Sequence, residues 1–76
     1  MQNERVFPQR EAYRIKVMGC LDSKWEDWFD GLEIIPQAGG ITMLFGTVED
    51  QAALHGLLAK IRDLGLPLIS VERIDR

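Results

Sequence analysis

The chain has 76 residues, of which 46% are hydrophobic and 28% are charged, and its formal net charge is −3. This composition is typical of one globular domain and excludes a disordered or fibrous protein. No block of basic residues occurs from residue 13 onward, so we expect no nucleic-acid partner, because neutralised phosphates supply most of the affinity of such complexes.

The chain begins with a short polar stretch that precedes the domain. Residues 1–12 contain Pro8 and show no hydrophobic period, which predicts a flexible N-terminal tail, and residues 13–76 are predicted to form a single α+β domain. Alternation predicts a first strand from Tyr13 to Leu21. Its apolar members Tyr13, Ile15 and Val17 alternate with Arg14 and Lys16.

A short helix is predicted next. Ser23 and Glu26 have the spacing of a capping box, and Gly31 is placed to end the helix. Apolar residues follow at the i, i+3, i+4 and i+7 positions of one helical face, namely Trp25, Trp28, Phe29 and Leu32. We expect these aromatic side chains to anchor the core of a small domain, and ligand stacking or protein docking is the alternative.

A β-hairpin follows the short helix. The apolar run Leu32–Ile35 ends at Pro36, residues 36–40 form a turn with two glycines, and Ile41–Val48 reads as the next strand. Because proline donates no backbone hydrogen bond, the first arm of the hairpin should lie at the edge of the sheet.

A long amphipathic helix is the best-defined element. Asp50 is a suitable N-cap, although Thr47 is equally acceptable, and the run Gly65–Pro67 ends the helix. Its buried stripe consists of Leu54, Leu57, Leu58, Ile61 and Leu64. A last strand is predicted at Leu68–Ile74.

The predicted order is therefore strand, helix, strand, strand, helix, strand. Two interleaved right-handed strand–helix–strand units give a ferredoxin-like βαββαβ sandwich, in which a four-stranded antiparallel sheet of spatial order 4-1-3-2 carries both helices on one face. The competing arrangement is a three-stranded sheet in which the Leu32–Ile35 run stays unpaired.

The third strand leaves two orientations open. Amphipathic counting favours Ile41, Met43 and Phe45 packing under the helices. In the other orientation Thr42, Leu44 and Gly46 face the helices. The first set then joins Met18 and Cys20 in an exposed apolar patch of the kind that marks an interface. We therefore take Met18, Met43 and Phe45 as interface candidates.

The outer side of the long helix offers a second set of interface candidates. Ala52, Gly56 and Ala59 lie away from the buried stripe, and an exposed mid-helix glycine costs roughly 1 kcal/mol relative to alanine. The simplest interpretation is a tolerated weak point. The alternative is a groove in which small residues allow another backbone to approach.

Few side chains offer chemistry. We interpret His55 as a polar surface residue on the flank of the long helix. Cys20 is interpreted as a small hydrophobe at the end of the first strand. The carboxylates between Asp22 and Asp30 fit helix-start electrostatics better than a metal cage. We therefore expect no catalytic residue, metal or cofactor. No apolar run is long enough to cross a bilayer and the first residues lack a signal-peptide core, so we expect a cytoplasmic protein without a membrane partner.

Several sequence stretches within residues 13–74 are similar to those of a known group of proteins. With YRIKVMG, the tryptophans at 25 and 28, TMLFG, DQAALHGLL and IRDLGLPLISV, the chain resembles a recurring, uncharacterised family of short prokaryotic hypothetical proteins. This resemblance implies no activity. In topology the predicted fold is similar to ACT-like and other ferredoxin-like modules, which pair through helices or sheet edges and often hold small ligands between subunits.

Our leading functional interpretation is a small non-enzymatic interaction or regulatory domain. It would act through self-association as a homodimer or through docking of a protein partner, and small-ligand binding at the interface is left open. The alternative is a small dimeric ferredoxin-like enzyme that uses His55 or Arg14 in a pocket between sheet and helices. A third option is an RNA-binding sheet that uses Tyr13 and Phe45 with Arg14 and Lys16, and the net charge disfavours it.

Overall fold

A computed structural model describes residues 11–74. Within this range the chain forms an α+β fold with a four-stranded antiparallel open sheet and one α-helix. The elements, in chain order, are β1 (Glu11–Met18), a 3-10 turn (Ser23–Glu26), β2 (Glu33–Gln37), β3 (Ile41–Val48), α1 (Gln51–Asp63) and β4 (Leu68–Ile74).

The sheet is organised around β1, which is antiparallel to β3 on one side and to β4 on the other. β2 pairs with β3, so the order across the sheet is β2-β3-β1-β4. The run after Leu32 therefore does pair, and the three-stranded alternative is wrong. β2 lies at an edge, as Pro36 predicted. The turn at residues 38–40 is a glycine turn, with φ of 83° at Gly39 and 75° at Gly40.

β1 differs slightly from its predicted bounds. It begins at Glu11, so the last two residues of the predicted tail belong to the sheet, and residues 1–10 lie outside the described part of the chain. Tyr13, Ile15 and Val17 are buried, which confirms the predicted inward face. The strand ends at Met18 because Gly19 has a φ of 138° and the chain turns there. Cys20 lies two residues beyond the end of this strand and is exposed, so it is not part of the core.

α1 has the ends that its sequence predicts. The Asp50 carboxylate accepts a hydrogen bond from the Ala53 N–H at 2.8 Å, so Asp50 and not Thr47 is the N-cap. At the other end Gly65 has a φ of 74°, and the Leu66 N–H donates back to the Ile61 carbonyl at 3.2 Å. This is the left-handed glycine closure that fits a helix followed by proline.

The second predicted helix is wrong. Residues 23–26 form a single 3-10 turn whose N-cap is Asp22, and the chain continues in turns to Gly31. Bulky aromatic side chains have reduced helix propensity and an isolated short helix is marginal. Asp30 and Gly31 both take positive φ, at 60° and 83°, which stops any helical continuation. Because of this irregular path, only Phe29 and Leu32 of the predicted apolar face are fully buried, while Trp25 is partly buried and Trp28 is 42% exposed.

The orientation of β3 is the second correction. Thr42 and Leu44 are fully buried, whereas Ile41, Met43 and Phe45 lie on the opposite, uncovered face. Counting apolar residues favoured the wrong face. Pairing explains the result, since Val17, Ile15 and Tyr13 stand directly opposite Thr42, Leu44 and Gly46 on the same side of the sheet.

Two features make the polar and small residues of β3 suitable for the core. The Thr42 hydroxyl donates to the Gly19 carbonyl at 2.6 Å and accepts from the Leu21 N–H at 3.3 Å, so its polar group is satisfied inside. Gly46 leaves the space that Leu32 occupies, because a Cβ at position 46 would lie 2.7 Å from Leu32 Cδ2.

The core lies between the sheet and a cover made by α1 and the 22–32 segment. Leu54, Leu57 and Ile61 of α1 join Phe29 and Leu32 in one buried cluster with the inward face of the strands. Lys60 of α1 also contacts the 22–32 segment and so links the two parts of the cover. Its ammonium donates to the Trp28 carbonyl at 2.8 Å, lies 3.3 Å from Asp30 and stands 5.4 Å from the centroid of the Trp28 ring.

Gly46→Ala and Gly56→Ala should change stability in opposite directions. The new methyl group at position 46 must displace the buried Leu32 side chain, so we expect a loss of about 1–2 kcal/mol. Position 56 is mid-helix with open space around it, so alanine there should add about 0.5–1 kcal/mol. Urea unfolding monitored by circular dichroism measures both, and equal shifts of the same sign would contradict the proposed packing of Leu32 on β3.

Thr42→Val should destabilise the fold although it replaces a buried hydroxyl with a methyl group. The Gly19 carbonyl and the Leu21 N–H lose their side-chain partner, at a cost of about 1–2 kcal/mol. This corresponds to a fall in Tm of roughly 4–8 °C per kcal/mol for a domain of this size. Thr47→Val is the matched control because Thr47 is exposed on the same strand. A Thr42→Val variant as stable as the control would show that the hydroxyl is dispensable.

Candidate interaction surfaces

The face of the sheet opposite α1 carries a continuous apolar surface. Within residues 11–74 no element covers this face. The register places five apolar side chains next to one another on it, and we call them the open-face patch: Met18, Ile35, Ile41, Met43 and Phe45. Met18 is 44% exposed and the other four are half-buried.

The patch has a defined arrangement in rows across the sheet. Met43 lies at its centre, opposite Ile35 on β2 and Lys16 on β1. Gln37 borders the patch, and its amide lies 3.9 Å from the Met43 sulfur. Methionine is flexible and polarisable, so its side chain adapts to the shape of a contacting surface.

Charged residues of both signs border the patch. Phe45 lies between Glu33 on one neighbouring strand and Arg14 on the other. The Arg14 guanidinium is 2.8 Å from the Glu72 carboxylate. With Lys16, the strands of the open face carry two basic and two acidic side chains, and their formal charges cancel.

The sequence identified three of the five patch residues as interface candidates, and the structure brings Met18, Met43 and Phe45 together. The sequence placed all three β3 members of the patch, Ile41 as well as Met43 and Phe45, on this face only in the disfavoured orientation of β3. Ile35 was missed because its strand, β2, was read as a short apolar run without an assigned face. The pairing of β2 with β3, once fixed, places Ile35 opposite Met43.

The other three interface candidates lie on the opposite side of the molecule. Ala52 and Gly56 are exposed and Ala59 is half-buried on α1. A Cβ built on Gly56 would meet no atom within 4 Å. The groove interpretation therefore stays a prediction, and this stripe of small side chains does not join the open-face patch.

The side chains considered for chemistry do not converge. His55 is exposed on α1, whereas Arg14 lies on the open face, so neither lines the space between sheet and helix. Asp22 caps the 3-10 turn and Asp30 pairs with Lys60. Over residues 11–74 no group of three or more histidine, cysteine, aspartate or glutamate side chains could hold a metal ion.

The structure also places one of the two aromatic residues proposed for RNA binding on the covered face of the sheet. Tyr13 is only 7% exposed and lies on the covered face, where its hydroxyl accepts a hydrogen bond from Gln51 at 3.0 Å. Phe45 lies on the open face, next to Arg14. Two aromatic rings on opposite faces cannot form one stacking platform for bases.

A family model described as a domain of unknown function, DUF8691, matches residues 12–72. Comparison with the curated proteins and comparison with the solved structures each gave no significant match. The helix in the described part of the chain is too short and too polar to cross a bilayer.

Proposed function

This chain belongs to the DUF8691 family of domains of unknown function, and from the geometry of its open sheet face we propose that it is a small non-enzymatic interaction domain that self-associates. The open-face patch is the observation that supports this proposal most directly. Contiguous apolar side chains on an uncovered face, bordered by polar and charged residues, are typical of an interaction site.

The size of the domain favours self-association. A chain of this length buries only about 60% of the surface that its unfolded state exposes, so its own core gives a small margin of stability. Covering the open face with a second copy would bury a second apolar layer against the sheet. Met43 at the centre of the patch and Phe45, its one aromatic side chain, would then contribute most of the binding energy, since large and desolvated side chains dominate interfaces.

The charges around the patch are compatible with a second copy as the occupant. The whole chain has a net charge of −3, so two copies repel one another in general. The open face is an exception because Arg14 and Lys16 balance Glu33 and Glu72. Two such faces meet without net repulsion, and a two-fold axis can bring the basic strand of one copy near the acidic edge of the other.

The finer features of the fold belong to the same proposal. The observed strand order, together with a helix and a compact turn segment over one face, supports a reduced ferredoxin-like sandwich in which a 3-10 turn replaces the first helix. The ACT-like comparison adds the option of a small ligand held between two copies. Prokaryotic origin and a cytoplasmic location stay predictions from the sequence.

The enzyme alternative has little geometric support, because neither His55 nor Arg14 lines the space between sheet and helix that was to form its pocket. A thermal-shift panel of amino acids, nucleotides and divalent metals separates the two functions. A pure interaction domain should show no ligand-dependent rise in Tm, since only a ligand that binds the folded state stabilises it. A saturable rise with one compound, lost in a His55→Ala or Arg14→Ala variant, would favour the enzyme or a ligand-regulated domain.

Met43→Glu should weaken self-association, whereas Thr47→Glu should not. Both changes introduce the same charge on the same face of β3, but Thr47 lies outside the patch and is exposed. A carboxylate at the centre of an apolar contact must be desolvated, so we expect the dimer Kd to rise about tenfold or more, which is at least about 1.4 kcal/mol. Multi-angle light scattering over a concentration series measures the molar mass of each variant.

Circular dichroism provides the folding control, because the half-exposed Met43 side chain contributes little to the inner core. A wild-type chain that stays monomeric at every concentration would contradict self-association through this face and leave docking of a different protein as the role of the patch. Identical mass profiles for the two variants would show that copies associate elsewhere.

A further inference from the structure

β4 presents a second unusual surface, which is the outer edge of the sheet. It is the last strand in the order, so residues 11–74 supply no strand on its outer side. Five large hydrophobic residues of the described chain are exposed, and three of them lie on this one strand. They are Leu68 at 49%, Ile69 at 45% and Val71 at 38%.

The two edges of the sheet are protected to different degrees. The β2 edge is five residues long and contains Pro36, which cannot donate a hydrogen bond to an added strand. The β4 edge is seven residues long and contains neither proline nor glycine. One irregularity occurs in β4 near Ile69, where the register to β1 shifts, and residues 70–74 beyond it pair regularly.

The cover over the core leaves β4 accessible. α1 packs against β3, and Val71, which stands opposite Ile15 on the covered side of the sheet, is nevertheless 38% exposed. A strand added beside β4 would therefore meet an apolar side chain on this side without displacing the helix. An unprotected apolar edge of this kind is a template for strand pairing.

We propose that β4 pairs with β4 of a second copy as an antiparallel strand, about a two-fold axis that passes beside Val71. The sheets of the two copies then join into one, with the helices of both on the same side. This contact is independent of the open-face patch, because it uses the edge of the sheet and not its face.

The register follows from symmetry and charge. In a continuous sheet, directly opposite residues point to the same face, so a two-fold axis must pass through a residue that faces itself. An axis at Glu72 or Arg73 would place like charges opposite each other, which is destabilising. An axis at Ser70 would place the irregular Ile69 next to the centre. An axis at Val71 places an apolar pair at the centre.

The Val71 register also gives the neighbouring positions acceptable partners. Ser70 of each copy faces Glu72 of the other, so the serine hydroxyl can donate to the carboxylate. Glu72 is already 2.8 Å from Arg14, and Arg73 lies 3.9 Å from Glu11 within its own chain. These ion pairs lower the electrostatic cost of bringing two charged strands together. The self-complementary pairing of Val71 with Val71 and of Ser70 with Glu72 favours a second copy as the occupant.

Single-cysteine cross-linking tests the register directly. In a Cys20→Ser background, Val71→Cys places two thiols opposite each other, where the Cα atoms of antiparallel neighbours are about 4.5–5.5 Å apart, within disulfide range. Arg73→Cys is the matched control on the same strand. In this register residue 73 faces residue 69, so the two introduced thiols lie about 13 Å apart along the strands.

With oxidised glutathione as the oxidant and non-reducing gels as the readout, Val71→Cys should form a covalent dimer about tenfold or more faster than Arg73→Cys, because paired thiols react at a high effective concentration. The difference should persist when Met43→Glu is added, since that change affects only the face of the sheet. Equal rates for the two cysteine variants, or no disulfide in either, would overturn the proposal.

Light scattering gives a second, independent measurement. Val71→Lys should lower the molar mass at high concentration because each lysine would face its own copy across the axis. Survival of edge cross-linking in a Met43→Glu chain would support the edge contact even if self-association through the face fails. A Val71→Lys chain that keeps the wild-type mass profile would contradict the edge contact, whatever the face variants show.

Discussion

The inward orientation of β3 is the constraint on which the rest of this structure depends. β1 has only one apolar face, and antiparallel pairing forces the residues opposite that face, Thr42, Leu44 and Gly46, to point into the core. Threonine is mostly exposed in folded proteins, and glycine within a strand contributes no side chain to the packing. They are accommodated because the Thr42 hydroxyl holds the turn after β1 through Gly19 and Leu21, and because Gly46 gives Leu32 its space. The turn, the 22–32 segment and the sheet are thereby fixed relative to one another.

The same constraint creates the open face. With the small and polar residues of β3 turned inward, its larger side chains, among them Met43 and Phe45, are left on the side that no described element covers. The domain therefore packs a modest core and leaves additional apolar side chains outside it. A chain with this distribution gains stability when a further surface covers the sheet, which connects the packing of one strand to the proposed self-association.

Local signals in the sequence predicted the elements well, and they failed where the outcome depended on non-local contacts. Asp50 and Gly65 fixed the ends of α1, and Pro36 correctly placed β2 at an edge. The face of β3 could not be read from β3 itself, because the register with β1 and the approach of Leu32 decide it. The prediction of a helix in the 23–31 segment failed because aromatic residues at helical spacing also suit a compact turn, which buries only some of them. Ile35 and the β4 edge were missed since exposure follows from position in the sheet and not from residue type.

Pro36 has a consequence for how far assembly can extend. Growth of a sheet from copy to copy requires two edges that accept strands, because each added copy must offer a new site for the next. Here the β2 edge contains Pro36, which has no N–H, whereas every residue of the β4 edge has one. The proposed symmetric pairing of β4 with β4 would occupy this edge in both copies and leave only the proline-bearing β2 edges outside. With this proposed pairing, edge-to-edge growth of the sheet stops at two copies, and any further association is left to the open-face patch.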